Sequence, residues 1–339
     1  MTFILLLTAA ALGAPPSVGA PVVGRCQLGA TGPDVSCIAL GTLHLHELGS
    51  PADALVHIKA AMALGITTFD LADVYPLQPE QFGAAITLEP GLREQIQVVA
   101  KMDAGFKNSG EQWGWFDSPG GYDTSDAHLD AILDRYLTAL NTTYIDIVLL
   151  HREDYIMDAE AVAATFHRWR KAGKVRHFGT SNHDRATFEL LNSRIPLVAN
   201  EIEISPINPG AFFDGKLAFH YSTNTTVLAW SPLGGDPFGH SNRLFDVGCL
   251  PGTRCLNPNG GPTTGRMKKA LSDVGQNLSV GMDVVCAAWL LYHPAHILPI
   301  LGTTNGMRLA NQAAAVEVVK KMTRAHWYHI ADAVGIPLP

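Results

Sequence analysis

The chain has 339 residues, of which 47 % are apolar and 16 % are charged, a composition typical of a globular protein rather than a disordered one. Its 24 Lys and Arg against 31 Asp and Glu give a net charge of −7, and the absence of a basic block argues against a nucleic-acid partner. Mean hydropathy is +0.11, yet no internal apolar run reaches the ~20 residues that span a bilayer, so we expect no membrane span.

Residues 1–24 are expected to lie outside the folded domain. The apolar run "FILLLTAAAL" (3–12) has the length of a signal-peptide core, and the small residues ending at Ala20 resemble a cleavage site. No Lys or Arg precedes the run and Pro21 follows it, so a loose N-terminal extension is the alternative. Three glycosylation sequons, at Asn141, Asn224 and Asn277, fit a secretory route. Localisation, cytoplasmic or secretory, stays open.

Five cysteines allow two interpretations. Cys26 and Cys37, and likewise Cys249 and Cys255, are close enough in sequence to pair, which leaves Cys286 over. The alternative is five reduced thiols in a cytosolic enzyme.

Eight short apolar segments, most of them rich in β-branched residues, recur along the chain, and helical patterns follow most of them. They are residues 37–41, 66–70, 96–101, 145–151, 175–182, 196–201, 226–231 and 297–304. Continuous apolar runs are typical of strands buried on both faces. They predict an α/β fold, a (β/α)8 TIM barrel formed by residues 25–339 as a single domain with an N-terminal β-hairpin. A doubly wound sheet is the alternative, but "GTLHLHELG" (41–49) lacks the GxGxxG turn that such sheets carry.

Two long segments interrupt this pattern, residues 102–123 after the third predicted barrel strand and residues 231–265 after the seventh. Extra loops at the carboxyl ends of barrel strands commonly build active sites. We expect Trp113 and Trp115 in the first loop to wall a substrate pocket, although aromatic rings also anchor loops to a barrel.

Polar residues follow the apolar runs at the ends of predicted strands. Asp70, Lys101 and His151 end the second, third and fourth strands, and a barrel would bring them to one mouth. A buried Lys101 beside Tyr75 is expected to lower the pKa of the phenol from its ordinary ~10, with Asp70 holding the lysine in place. Tyr75 could then protonate an alkoxide forming from a carbonyl, and His151 could donate a hydrogen bond to the same oxygen. Asp73 has no predicted chemistry and is interpreted as a turn or surface residue.

This constellation lacks a hydride, which a cofactor must supply. A metal site is not predicted, because the sequence has no HExxH, no CxxC and no three histidines at ligand spacing.

Six segments in chain order carry a resemblance to the aldo-keto reductase superfamily, which extends from about residue 25 to the C-terminus. They are "FDLADVY" (69–75), "VVAK" (98–101), "YIDIVLLHRED" (144–154), "GKVRHFGTSN" (173–182), "LAWSPLGG" (228–235) and "LPILGTTNGMRLANQ" (298–312). The short loop after the fourth strand resembles the bacterial-type members.

The resemblance implies an NADPH-dependent oxidoreductase that reduces an aldehyde or ketone by reversible hydride transfer, with Tyr75 as general acid and Asp70, Lys101 and His151 as the other catalytic residues. The cofactor-binding residues that it implies are Gly41, Thr42, Ser181, Asn182, Glu201, Trp230, Ser231, Leu233, Gly235, Thr303, Arg308 and Gln312. The alternative is a regulatory or sensor subunit of a membrane channel that binds the cofactor with little turnover, as some family members are. The partner is a small carbonyl compound, which the sequence does not name, and the oligomeric state is not predicted.

Three positions depart from the family's pattern. Glu201 stands where the family often has Gln, and its charge would favour the oxidised, cationic nicotinamide. Trp230 replaces the usual stacking Tyr. Gly302 stands where a Lys often contacts the adenosine phosphate, but Arg308 remains, and a guanidinium binds phosphate bidentately. We therefore expect NADPH rather than NADH, with a solvated helix residue as the alternative for Arg308.

Overall fold

The computed structural model describes residues 23–105, 121–234 and 262–338. In these ranges the strands, in chain order, are β1 (Arg25–Gln27), β2 (Asp34–Ser36), β3 (Ala39–Gly41), β4 (Thr68–Ala72), β5 (Gln97–Met102), β6 (Ala104–Gly105), β7 (Gly121–Tyr122), β8 (Ile145–Leu150), β9 (Val175–Ser181), β10 (Leu197–Glu203), β11 (Thr226–Trp230) and β12 (Leu298–Leu301).

Eight of these strands form a closed parallel barrel in the order β3-β4-β5-β8-β9-β10-β11-β12, and β12 pairs with β3 to close it. Each of the eight predicted apolar segments supplies one barrel strand, so the predicted (β/α)8 fold is confirmed. Every residue of β4 and of β8 is buried, which explains why these strands have continuous apolar runs rather than an alternating pattern.

Helices follow the strands around the outside of the barrel. They are α1 (Pro51–Ala63), α2 (Glu80–Ile86), α3 (Asp126–Ala139), α4 (Ala159–Lys171), α5 (Arg185–Asn192), α6 (Lys216–Ser222), α7 (Pro262–Leu278), α8 (Met282–Leu291), α9 (Gly306–Ala313), α10 (Ala315–Val318) and α11 (Arg324–Ala333).

Local sequence signals set the helix ends. The Ser50 side chain caps α1 by accepting from the Asp53 amide, with Pro51 in the first turn. Gly173 takes a φ of 71° just beyond α4, whose last turn carries the three cations Arg168, Arg170 and Lys171.

The hairpin of β1 and β2 lies at the end of the barrel where the strands begin. Its Gly29 amide donates to Thr226 Oγ1 at the start of β11, and the Ser36 amide donates to Thr68 Oγ1 at the start of β4. A disulfide joins Cys26 to Cys37, while Cys286 is buried as a free thiol. The proposed Cys249–Cys255 pair lies outside the described residues.

The barrel interior is packed with apolar side chains below a polar top layer. Val99 on β5 and Ala199 on β10 belong to the interior cluster. Because side chains alternate along a strand, Lys101 and Glu201, two residues further on, lie on the same inner face at the carboxyl end. The fold therefore brings these charged groups to the barrel mouth.

The two long predicted loops leave this same end. Most of each lies outside the described residues, and the root of the first is closed by the short antiparallel pair of β6 and β7, with Ala104 opposite Tyr122. In the described ranges, no single helix is long and apolar enough to cross a bilayer, and one pair, Gly265–Leu278 and Met282–Leu291, meets the length and composition criteria together but is bent by 89°.

Candidate active site

Lys101 is the central cation of the barrel mouth. Its Nζ donates to Asp70 Oδ1 at 2.5 Å and Oδ2 at 2.6 Å, and to Glu201 Oε1 at 2.9 Å. All three side chains are at most 2 % exposed. Burial by itself would lower the pKa of Lys101, but the two carboxylates outweigh it and hold that pKa well above its ordinary range. Lys101 is therefore a fixed positive charge.

The pKa of Glu201 results from a different balance between burial and neighbouring charges. Burial and the neighbouring Asp70 raise the pKa of its carboxyl to about 8, although Lys101 opposes the shift. Among the described residues, its Oε2 is buried without a hydrogen-bond partner. A buried carboxyl oxygen without a hydrogen-bond partner costs free energy. This atom is therefore a candidate for a hydrogen bond with a bound ligand.

Tyr75 lies beside this charge cluster. Its hydroxyl donates to Asp70 Oδ2 at 3.4 Å, and Lys101 Nζ lies 5.1 Å from the ring centroid. Lys101 lowers the pKa of the phenol as expected, but it does not determine the direction of the net shift. Loss of water around the phenol is the larger influence, and together with the charges of Asp70 and Glu201 it raises the pKa of Tyr75 above its ordinary value despite Lys101. The phenol therefore keeps its proton at neutral pH, as a proton donor must.

His151 follows β8 at the same mouth and is held by two aspartates. Its Nδ1 lies 3.4 Å from Asp73 Oδ1, and its backbone amide donates to Asp103 Oδ2 at 2.9 Å. Burial lowers the pKa of His151 below its ordinary value, although Asp73 partly opposes this effect. The ring is thus neutral at neutral pH.

Asp73 differs from its prediction. It lies in the turn after β4 as expected, but its side chain is only 3 % exposed, so the surface interpretation is wrong. The sequence held a usable signal, because Asp73 directly follows β4 at the end where the other predicted polar residues lie.

Helix α3 braces the segment that carries Asp73 and Tyr75. The Tyr136 hydroxyl donates to the Lys101 carbonyl at 2.9 Å. The Arg135 guanidinium donates to the Gln78 carbonyl at 2.6 Å and, at a long 3.5 Å, to the Asp73 carbonyl. Helix α3 thus holds in place both β5, which carries Lys101, and the turn that follows β4.

Ser181 and Asn182 close the mouth on the side of β9. Ser181 Oγ donates to the Glu201 carbonyl at 3.1 Å. Asn182, at a φ of 60°, donates from Nδ2 to the His151 carbonyl and accepts from Trp230 Nε1 at 3.0 Å. The bond to Asn182 fixes the half-buried Trp230 ring at the end of β11, and the ring can then stack on a flat ligand.

Four more predicted cofactor residues line the ends of β3 and β11. Thr42 donates from both its amide and its hydroxyl to the Asp70 carbonyl, at 3.0 and 2.9 Å. Gly41 is tightly packed, since a Cβ there would lie 3.1 Å from Ile300. Ser231 takes a φ of 49° and starts the turn that holds the partly buried Leu233.

The predicted adenosine-side residues lie just before α9 and along it. Thr303 precedes the helix, and its carbonyl accepts from His57 Nε2 at 3.0 Å. Arg308 is exposed in the first turn of the helix, where the helix dipole attracts anions, and its own amide donates to Asn305 Oδ1 at 3.0 Å. Gln312 is buried and donates to Asp283 Oδ2 at 3.2 Å. Gly235, Trp113 and Trp115 lie outside the described residues.

The sequence matches a known family over most of its length. The model of the Aldo/keto reductase family matches residues 37–330. Oxidoreductase YdhF of Escherichia coli (strain K12) is 34 % identical over 325 residues, covering 94 % of this chain and 100 % of the relative. A 6-dehydroglucose reductase of Agrobacterium fabrum is 33 % identical over 289 residues, covering 83 % and 87 % of the two chains.

A solved structure shares the fold of this chain. The holo form of aldo-keto reductase AKR11C1 from Bacillus halodurans superposes with a TM-score of 0.72 at 20 % identity, covering 94 % of this chain and 98 % of the other. The family match and the relatives agree with the barrel and with the segments that suggested the resemblance. The chain therefore belongs to the aldo/keto reductase family and is an oxidoreductase.

Proposed function

We propose that this protein is an NADPH-dependent oxidoreductase that reduces an aldehyde or ketone to an alcohol. The observation that carries the proposal is Lys101 held between Asp70 and Glu201 beside a protonated Tyr75. A fixed cation next to a phenol that keeps its proton suits proton delivery to a carbonyl oxygen as it becomes an alkoxide.

The residues present fit a nicotinamide dinucleotide. Among the described residues, Glu201 Oε2 is buried without a hydrogen-bond partner, and Glu201 pairs in the sheet with Ser181 at the end of β9, which Asn182 follows. The carboxamide of a nicotinamide could form a hydrogen bond with this oxygen. Trp230 offers a ring held in place for stacking. When bound, such a cofactor supplies the hydride.

The proton chemistry is assigned to the chain's own side chains. Tyr75 holds the transferable proton on its hydroxyl and releases it to the substrate oxygen, and Lys101 then stabilises the phenolate left behind. Asp70 accepts hydrogen bonds from both Lys101 and Tyr75 and so holds the two side chains next to each other. His151 contacts the substrate beside Tyr75.

The preference for NADPH rests on Arg308. It lies exposed in the first turn of α9, near the positive end of the helix dipole, where a guanidinium can bind a ribose phosphate bidentately. The variant Arg308→Met should weaken NADPH binding and leave NADH binding nearly unchanged, which fluorescence titration with each cofactor measures. Equal loss for both cofactors would contradict this assignment.

The test of the whole proposal is a titration followed by turnover. We expect tighter binding of NADPH than NADH, and consumption of NADPH with a panel of aldehydes and ketones. The panel should include 6-dehydroglucose, because a relative at 33 % identity is named for reducing it. NADPH that binds but is not consumed by any member would favour the channel-subunit alternative.

A further inference from the structure

His57 is a buried side chain of α1 that the proposed reaction does not use. It is 6 % exposed, and its Nε2 donates to the Thr303 carbonyl at 3.0 Å, 246 residues further along the chain. Thr303 lies in the turn between β12 and α9. We propose that His57 is a positioning residue that fixes this turn, and through it the Thr303 hydroxyl and the Arg308 guanidinium that bind the ribose phosphate of NADPH. The role in cofactor choice rests on the proposed function, whereas the role in fixing the turn does not.

The bond between His57 and Thr303 joins two helices that otherwise meet through apolar side chains. Ile58, next to His57 on α1, and Leu309, next to Arg308 on α9, belong to one buried apolar cluster. A backbone carbonyl can only accept, so the ring is the donor in this bond. His57 is therefore a directional polar contact in an apolar setting, and it specifies where the Thr303 carbonyl lies.

Two further hydrogen bonds continue from Thr303 into α9. The Asn305 amide donates to Thr303 Oγ1 at 3.2 Å. The Arg308 amide donates to Asn305 Oδ1 at 3.0 Å, which caps the helix. These bonds link the carbonyl that His57 holds to the residue that carries the guanidinium. A displacement of Thr303 would therefore shift the first turn of α9.

The turn and the helix start offer two kinds of donor to a phosphate. The Thr303 hydroxyl accepts from Asn305, and among the described residues it donates to no group, so its hydrogen can point to a ligand. Arg308 is exposed and can bind two phosphate oxygens at once. Because both donors depend on one short turn, their spacing depends on the bond that fixes it. NADH lacks the ribose phosphate, so a loosened turn should weaken NADPH binding more than NADH binding.

The variant His57→Phe tests the proposal, because it keeps a ring among the apolar neighbours and removes the donor. The smaller His57→Leu repeats the test in case the larger ring does not fit. His57→Gln is the matched control, because its side-chain NH₂ group can still donate to the Thr303 carbonyl. Asp146→Ala is the control for a loss of stability alone, because it removes a buried ion pair at the opposite end of the barrel.

Hydrogen exchange with mass spectrometry, on the protein without cofactor, measures the turn itself. We expect the amides of residues 303–308 to exchange faster in His57→Phe and His57→Leu than in the wild type, and at the wild-type rate in His57→Gln. Unchanged exchange in both apolar variants would overturn the proposal. This measurement depends on neither cofactor nor activity, so failure of the proposed function is a separate result.

Cofactor affinity is the second readout. In fluorescence titrations, His57→Phe should bind NADPH about 2–10-fold more weakly than the wild type, the net value of one hydrogen bond, and NADH nearly as well. His57→Gln and Asp146→Ala should bind NADPH as the wild type does. In turnover, His57→Phe should raise KM for NADPH and leave kcat unchanged. Equal weakening for both cofactors, or the same weakening in Asp146→Ala, would overturn the role in cofactor choice.

Discussion

Lys101 holds one positive charge between two buried carboxyl groups, and burial raises the pKa of one of them, Glu201, to about 8. At neutral pH the cluster therefore contains the Asp70–Lys101 ion pair and a mostly protonated Glu201. A protonated Glu has the hydrogen-bonding capacity of the Gln often found at this position in the family, one acceptor and one donor. At higher pH the site gains a negative charge, which favours the cationic form of the nicotinamide.

The raised pKa of Glu201 predicts that the stability of the protein depends on pH. In the unfolded chain Glu201 ionises at its ordinary pKa, whereas in the fold it keeps its proton up to about 8. Between these two values the folded state binds more protons, so its free energy of unfolding falls as pH rises from about 5 to about 8. Glu201→Gln lacks this titration, and urea unfolding across that range should show the wild type losing stability relative to the variant. Curves that stay parallel would contradict the pKa assignment.

At the scale of elements, a buried ion pair ties together the amino ends of the strands opposite the active site. Asp146 on β8 accepts from Arg93 at 2.8 Å and from the Val98 amide of β5 at 3.0 Å. The side chains of Asp146 and Arg93 are both 7 % exposed. This cluster stabilises the barrel at a distance from the chemistry.

Asp146→Ala should lower the free energy of unfolding by about 3–5 kcal/mol, because Arg93 would remain buried without its carboxylate partner. The control is Asp134→Ala, whose partner Lys174 lies at 2.9 Å on the surface, and there the loss should stay below about 1 kcal/mol. Urea denaturation measures both losses. Equal losses in the two variants would be inconsistent with a stabilising role for the buried pair.

The strands could be predicted from the sequence where burial on both faces determines their composition. Strands β4 and β8 are buried on both faces, and their apolar runs show this directly. The cap of α3 was less predictable: Ser125 lies at the N-cap, but its side chain makes no capping bond, and its amide donates to Asp123 instead. Whether the Ser125 side chain forms a capping bond depends on the conformation of the surrounding loop.

The polar site was predictable in position but not in energetics. Strand ends placed Asp70, Lys101 and His151 at one mouth. Lys101 lowers the pKa of Tyr75 as predicted, but the net shift is upward, because the sequence does not show how much water the phenol loses. The place of Asp73 directly after β4 was a usable signal, but its burial depends on contacts with His151 and β6, which lie far away in sequence.

At the scale of the whole molecule, the Cys26–Cys37 disulfide closes the hairpin at the end of the barrel away from the active site. Alkylation with mass spectrometry should find Cys26, Cys37 and Cys286 unlabelled in the native protein. Burial protects the Cys286 thiol and raises its pKa, so unfolding without reductant should label it while the other two stay linked. Labelling of Cys26 in the native protein would show that the hairpin is reduced.

The central claim is that Tyr75 delivers a proton to a carbonyl oxygen at a barrel mouth that also holds the cofactor. The most direct measurement compares the wild type with Tyr75→Phe for both NADPH affinity and carbonyl turnover. Loss of the hydroxyl removes the general acid but leaves Lys101, Asp70 and Glu201 in place. We expect kcat to fall by about 10²–10⁴-fold with NADPH affinity nearly unchanged, and turnover close to that of the wild type would contradict the account.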